Sequence, residues 1–101
     1  MESYLISDNE ETLIGMKMAG ISGELLTENH EILARIDELI LDPKIGIVIL
    51  THKTKEKIEE EVMIRKLQSR ETLIIEIPGP NESIKKDFIT KYIRESIGLK
   101  L

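Results

Sequence analysis

Hydrophobic and polar positions along this chain form two kinds of pattern, short apolar runs and longer stretches with helical spacing. The most uniform apolar run covers Ile45–Thr51, and Asp42 and Pro43 give turn signals just before it. A short run of this kind suits a strand that is buried on both faces, as in the middle of a parallel sheet. The run therefore predicts a central strand with helices packed above and below it.

Three further segments predict strands. Residues 4–7 form a short apolar strand, residues 21–26 form an edge strand that Gly23 weakens, and Leu73–Ile77 forms a fourth strand. Glu76 within the fourth strand indicates that one of its faces meets water, as at the edge of a sheet.

Capping and spacing signals predict two helices in the first half of the chain. The first begins at a cap formed by Asp8 or Asn9 and ends at Gly20, because the left-handed conformation at a helix end costs little only for glycine. The second begins at Thr27 or Asn29 and stops before the proline that precedes the central strand. Its apolar residues, which have the best helical spacing in the chain, are Ile32, Leu33, Ile36, Leu39 and Ile40.

Two more helices are predicted in the second half. Thr54 caps the third helix, and a final helix runs over residues 82–97 after a rigid break at residues 78–81. The apolar positions of the third helix are Ile58, Val62, Met63 and Leu67. Those of the final helix are Ile84, Phe88, Ile89, Tyr92, Ile93 and Ile97.

The order of elements is strand then helix, four times, which predicts an α/β fold with a parallel sheet and right-handed crossovers. We expect a single domain with the flavodoxin/receiver-like strand order 2-1-3-4, which places the first and third strands at the centre. Residues 1–77 are expected to form the four-stranded core. Residues 78–101 are expected to form a Pro-Gly-Pro hinge and a C-terminal helix, either within the same domain or mobile.

Composition and charge narrow the classes of function. The chain has 101 residues, a net charge of −5 and no cysteine, which disfavours nucleic-acid partners and rules out disulfides and thiolate chemistry. Aromatic residues, at 3%, are too few for a base-stacking platform. No apolar run is long enough to cross a membrane, and the first residues lack the basic start of a signal peptide.

Phosphoacceptor receiver domains share the predicted fold, but their chemistry is not evident here. That chemistry needs an aspartate at the end of the third strand, where this chain has Thr51 and His52. It also needs acids after the first strand to hold Mg²⁺. Asp8 occupies such a position, although a helix cap is the simpler interpretation. Glycine-rich nucleotide motifs are absent as well, so we predict no catalytic residues, no metal and no cofactor.

His52 is the remaining residue at this edge with catalytic potential. A histidine general base needs an orienting group and a nucleophile within hydrogen-bond reach. Ser7 comes near if the first and third strands are adjacent, but the pattern offers no partner acid. We therefore interpret His52 as a loop histidine beside a helix start, with a small enzyme that uses His52 and Ser7 as the competing hypothesis.

Two features of the predicted helices suggest surface contacts. Positive charge is concentrated at the end of the third helix, at Arg65, Lys66 and Arg70. These cations either interact with the negative end of the helix dipole or bind a partner. Gly15 lies inside the first helix, where it costs about 1 kcal/mol relative to alanine. That cost makes sense if another backbone approaches closely, from the core or from a partner helix.

The segment DNEETLIGMKMAGI at residues 8–21 resembles the N-terminal signature of the F subunits of the V-type and A-type (archaeal-type) rotary ATPases. In that family an acid, a threonine and a Gly-aromatic-x-x-Ala-Gly-Ile/Val pattern follow the first strand. The apolar third strand and the Ile-Glu-Ile-Pro sequence at residues 75–78 are also similar. Met16 stands where an aromatic residue is usual, and Ser7 where glycine or a small residue is common, which bears on the packing of the first helix.

The resemblance implies a non-catalytic central-stalk (rotor) subunit of a V/A-type proton or sodium pump or ATP synthase. Such a protein binds the coiled-coil D subunit, turns inside the catalytic A/B hexamer, couples or modulates ATP hydrolysis, and is cytoplasmic and peripheral to the membrane. The competing interpretation is a degenerate receiver-like interaction module. We expect the partner surface to include an exposed edge strand and, from the third and last helices, Met63, Lys66, Leu67, Arg70, Ile84, Phe88 and Tyr92. The last helix instead closes the core in a second interpretation.

Overall fold

The fold alternates strands and helices along the chain. A computed structural model describes residues 1–69 and 71–79. Its elements are β1 (Glu2–Ser7), α1 (Glu10–Met18), β2 (Ser22–Leu25), α2 (Asn29–Leu41), β3 (Ile45–Thr51), α3 (His52–Lys57), α4 (Glu59–Gln68) and β4 (Leu73–Ile77). The C-terminal helix predicted over residues 82–97, residues 80–81 of the hinge and Arg70 lie outside the described residues, so the predicted division at residue 77 remains a prediction.

The four strands form one parallel sheet in the order β2-β1-β3-β4, which confirms the predicted architecture. β1 and β3 occupy the centre and are the most deeply buried strands. β2 and β4 form the edges. Parallel pairing places the carboxyl ends of all four strands at the same side of the sheet.

The core lies between one face of the sheet and helices α2, α3 and α4. In the register of the sheet, Ile6 lies opposite Leu50, and Val48 lies opposite Ile74, so these side chains share a face. They pack against residues from the helices and the turn at Ile58: Ile32, Ile36, Leu39, Ile58 and Val62. All nine are buried, so this face supplies most of the hydrophobic stabilisation of the described fold.

The opposite face of the sheet carries Leu5 and Ile49, and α1 packs against its β1–β2 half. α1 begins at Asn9, whose side-chain oxygen accepts a hydrogen bond of 2.7 Å from the backbone N–H of Thr12. It ends before Gly20, which has φ of +87°. The predicted cap and C-terminal glycine are thus confirmed, with Asn9 rather than Asp8 as the cap.

The third predicted helix differs from the expectation. It begins at His52, directly after β3, and Thr54 lies inside it and is buried. Thr54 does not cap because Thr51 holds the cap position, and the Thr54 hydroxyl instead lies 2.8 Å from that of Thr51. At Ile58 the backbone leaves the helical region (φ −132°, ψ 33°), so the segment is divided into α3 and α4. The break lets Ile58 enter the core.

Two glycines have opposite surroundings. A Cβ added to Gly23 in β2 would lie 2.6 Å from the carbonyl oxygen of Leu5 and 3.1 Å from Leu13 Cδ1, so β1 approaches this position too closely for a side chain. Among residues 1–69 and 71–79, no atom lies within 4 Å of a Cβ added to Gly15, so no core neighbour from this part of the chain approaches it, and the approach of a partner helix stays a prediction. Gly23, interpreted from sequence as a weakness of the strand, is therefore a packing requirement.

We predict that Gly23→Ala lowers the free energy of unfolding by about 1–3 kcal/mol, because the methyl group displaces β1 backbone or α1. Gly15→Ala is the matched control. It should raise the free energy of unfolding by about 0.5–1 kcal/mol through helix propensity. Urea unfolding followed by circular dichroism measures both, and equal effects of the two variants would contradict the close approach of β1 to Gly23.

Candidate functional site

The carboxyl edge of the sheet gathers the polar residues that the sequence singles out. Asp8 follows β1, Thr51 ends β3, and His52 starts α3. Glu76 of β4 lies opposite Leu50 of β3 and therefore shares the face that carries the core. In open parallel sheets this edge is the usual position of a ligand crevice.

Asp8 links the ends of the two central strands. The Thr51 hydroxyl donates a 2.6 Å hydrogen bond to Asp8 Oδ1, and Thr54 in turn lies 2.8 Å from Thr51 Oγ1. Partial burial alone would raise the pKa of Asp8, but hydrogen bonds from Thr51 and Asn9, a backbone hydrogen bond and the charge of Lys53 outweigh it and lower the pKa. Asp8 thus acts as an ionised acceptor within the fold, not as the helix cap.

Ser7 and His52 do not form a nucleophile–base pair. The buried Ser7 hydroxyl donates to the carbonyl oxygen of Asn9 at 2.7 Å and accepts from its N–H at 3.1 Å. His52 lies between two carboxylates, with Nδ1 3.0 Å from Glu76 and Nε2 3.2 Å from Glu56. The expectation that His52 has no partner acid is therefore wrong. Glu56 is one helical turn away, and Glu76 is brought close by the β3–β4 register.

Glu76 also neutralises a buried lysine. Lys55 Nζ lies 3.5 Å from Glu76 Oε1, and the two side chains are only 9% and 12% exposed. The prediction that Glu76 marks a face open to water is wrong, because α3 covers that position with His52 and Lys55. The carboxylate is retained inside the fold because it offsets the cost of burying the ammonium group.

The outer side of α4 is the second candidate site. Met63 and Leu67 are 44% and 79% exposed, whereas Ile58 and Val62 face the core, so the four predicted apolar positions occupy two sides of the helix. Ile64, which is 51% exposed, lies beside them but was not among the predicted partner residues. Its exposure depends on which side of α4 meets the sheet. Lys66 is half-buried. Of the other predicted partner residues, Arg70, Ile84, Phe88 and Tyr92 lie outside the described residues.

One residue of the predicted basic cluster at the end of α4 makes a contact within the fold. Arg65 donates two hydrogen bonds to Asp37 of α2, from Nε at 2.7 Å and from Nη2 at 3.0 Å. The hydrogen bonds from the guanidinium to Asp37 raise the pKa of Arg65. Arg65 therefore fixes α4 against α2.

Neither a metal site nor a membrane-spanning helix is found within residues 1–69 and 71–79. No group of three or more His, Asp or Glu side chains in that part of the chain is placed to hold an ion. None of its helices is long and apolar enough to cross a bilayer.

We predict that Asp8→Asn removes an acid-sensitive part of the stability. Because folding lowers the pKa of Asp8, its contribution is complete above its unfolded pKa of about 4 and is lost as the pH falls through the lower folded value. The free energy of unfolding of the variant should be about 1 kcal/mol lower than that of the wild type at pH 7, and it should fall less steeply as the pH is lowered. Unfolding measured from pH 7 to pH 2 tests this, with the exposed Glu2→Gln as control. A variant profile parallel to the wild-type profile would contradict the assignment.

We predict that Glu76→Gln lowers the free energy of unfolding by about 2–3 kcal/mol, because it leaves the Lys55 ammonium buried without a counter-charge. Glu56→Gln is the matched control, since Glu56 contacts the same histidine but its side chain is 67% exposed. It should cost less than about 1 kcal/mol. Guanidinium chloride unfolding at pH 7 measures both, and equal costs would show that the Lys55–Glu76 contact is not required.

Comparison with known proteins gives the family. The family model of the ATP synthase (F/14-kDa) subunit matches residues 4–93, which include every strand and helix of the described fold except the first two residues of β1. No curated protein matches the chain. The matched range also contains the segment at residues 8–21 that carries the resemblance noted from the sequence. The chain therefore belongs to the family of the ATP synthase (F/14-kDa) subunit, the F subunits of the V- and A-type rotary ATPases.

Proposed function

We propose that the chain is a non-catalytic central-stalk (rotor) subunit of a V/A-type ATP-driven proton or sodium pump or ATP synthase. In this role it binds the coiled-coil D subunit and couples or modulates ATP hydrolysis in the A/B hexamer. It is a peripheral subunit on the cytoplasmic side of the membrane. The observation that carries the proposal is the family match over residues 4–93.

The arrangement of the carboxyl edge supports a role without catalysis. Ser7 is committed to Asn9, Asp8 to Thr51, and Glu76 to His52 and Lys55. These contacts connect β1, β3, β4 and α3, so the groups that a ligand would need are already used to hold the sheet together. A scaffold of this kind acts through its surfaces.

The outer side of α4 supports a partner surface. Three large apolar side chains, Met63, Ile64 and Leu67, are exposed on a helix of 10 residues. Contiguous exposed apolar surface on a small domain is typical of protein–protein contact. The half-buried Lys66 flanks this surface.

The contact must extend beyond α4. A helix of 10 residues is about 15 Å long, whereas a stable interface buries about 800 Å² on each partner. Arg70 is therefore also proposed to contact the D subunit. The proposed contacts with the D subunit or the A/B hexamer also include Ile84, Phe88 and Tyr92.

We predict that Met63→Glu combined with Leu67→Glu abolishes the complex with the D subunit, because two charges would be buried against an apolar partner. The measurement is co-elution of the two purified proteins in gel filtration. The matched control is Ile14→Glu combined with Met18→Glu on α1, where both side chains are also exposed. The control variant should still form the complex.

The outcomes separate the alternatives. Failure of the wild-type chain to bind the D subunit would contradict the rotor role and favour the receiver-like interaction module. Loss of binding in the α1 variant alone would leave the role intact and move the partner surface to α1. Circular dichroism of all variants confirms that each one is folded before binding is measured.

A further inference from the structure

The outer side of α4 has the spacing of a helix-packing seam. Glu60, Met63, Ile64 and Leu67 occupy positions i, i+3, i+4 and i+7, and all four are exposed. The buried Val62 points the opposite way, into the core. Residues at this spacing line one side of a helix and are the anchors by which a second helix packs. We call these four residues the α4 seam.

Glu60 is the polar member of the α4 seam. Within residues 1–69 and 71–79 it takes part in no ion pair, unlike Glu24, Glu38, Glu56 and Glu76. A charged residue among apolar seam positions fixes the register of a helix pair when the partner offers the opposite charge. Glu59 and Glu61 beside it make the first turn of α4 acidic, which favours a partner that is basic at this point.

An apolar groove lies between the C-terminal halves of α2 and α4, and it adjoins the α4 seam through Gln68, which is one helical turn after Ile64. It has a volume of about 270 Å³. Its lining residues are Asp37, Ile40, Leu41, Arg65, Gln68 and Ser69. The two hydrogen bonds from Arg65 to Asp37 fix the two helices that form its walls, and Leu41 at its rim is 83% exposed. The groove has room for one apolar side chain.

We propose that a single α-helix of the partner lies along the α4 seam. Its Lys or Arg pairs with Glu60, and one of its apolar side chains enters the groove between α2 and α4. This inference rests on the proposed function, in which that partner is the D subunit. The seam spans about 10 Å from Glu60 to Leu67, so the partner helix must continue past the end of α4 to bury a stable area. The groove and Leu41 provide that continuation.

A second copy of the chain fits the α4 seam poorly. In a two-fold, antiparallel pairing of two α4 helices centred on the seam, Glu60 of one copy faces Leu67 of the other. Such a contact buries a carboxylate without a counter-charge, which is costly. A basic helix from another protein avoids this cost.

The test is the affinity for the purified D subunit, measured by titration calorimetry at two salt concentrations. Glu60→Lys should weaken binding at least about 10-fold, and the isosteric Glu60→Gln about 3- to 10-fold with a smaller salt dependence. The matched control is Glu11→Lys, because Glu11 is also an exposed acid in the first turn of its helix. The control should bind as the wild type does. Leu41→Glu should weaken binding at least about 5-fold through the groove.

The outcomes distinguish the inference from the proposed function. If the Met63/Leu67 variant fails to bind while Glu60→Lys and Leu41→Glu bind normally, the rotor role stands and this docking geometry is wrong. Restored binding of Glu60→Lys by a Lys→Glu or Arg→Glu change in the D subunit would establish the pairing. If the chain alone sediments as a dimer that Leu67→Glu dissociates, the seam is an interface between copies, and the inference is overturned.

Discussion

Burial of the two central parallel strands between helical layers is the constraint on which this structure depends. Ile6, Val48 and Leu50 lie fully buried at the middle of the sheet, and they contact α2 and α4 on the same side. Removal of this apolar surface from water is the main favourable term in folding. Parallel pairing also has a geometric consequence, because every strand delivers the residues that follow it to one edge of the sheet. Formation of the core therefore also brings Asp8, Thr51, His52 and Glu76 together at that edge.

Polar groups at that edge must find partners inside the protein, because burial of an unpaired polar group is costly. In the described part of the chain, no buried side-chain nitrogen or oxygen lacks a hydrogen-bond partner. Asp8 accepts from Thr51, and Glu76 serves both His52 and the buried Lys55. The region that binds ligands in many related architectures thus serves here to join strands and helices. This use of the edge agrees with a protein that acts by contact with other chains.

The helix α4 shows how one short element serves both the core and the surface. Ile58 and Val62 anchor it, Arg65 fixes its orientation against α2, and Met63 and Leu67 remain exposed. The sequence indicated these apolar positions, but it could not divide them between the two sides. That division depends on where the chain breaks at Ile58 and on how α4 lies against the sheet. The same placement puts Glu60 and Ile64 on the exposed side of α4.

The sequence by itself determined the features that arise from neighbouring residues. These include the four strands, the helical segments after the first three, the cap before α1, the glycine at its end and, through the uniformly apolar run at Ile45–Thr51, the central position of β3. Only the tertiary structure decided that Gly23 is required by the contact with Leu5 and that Glu76 meets His52 and Lys55. The reason is physical. Capping and periodicity act over a few residues, whereas these contacts join residues 18 to 24 positions apart, and strand register and helix placement set their distances.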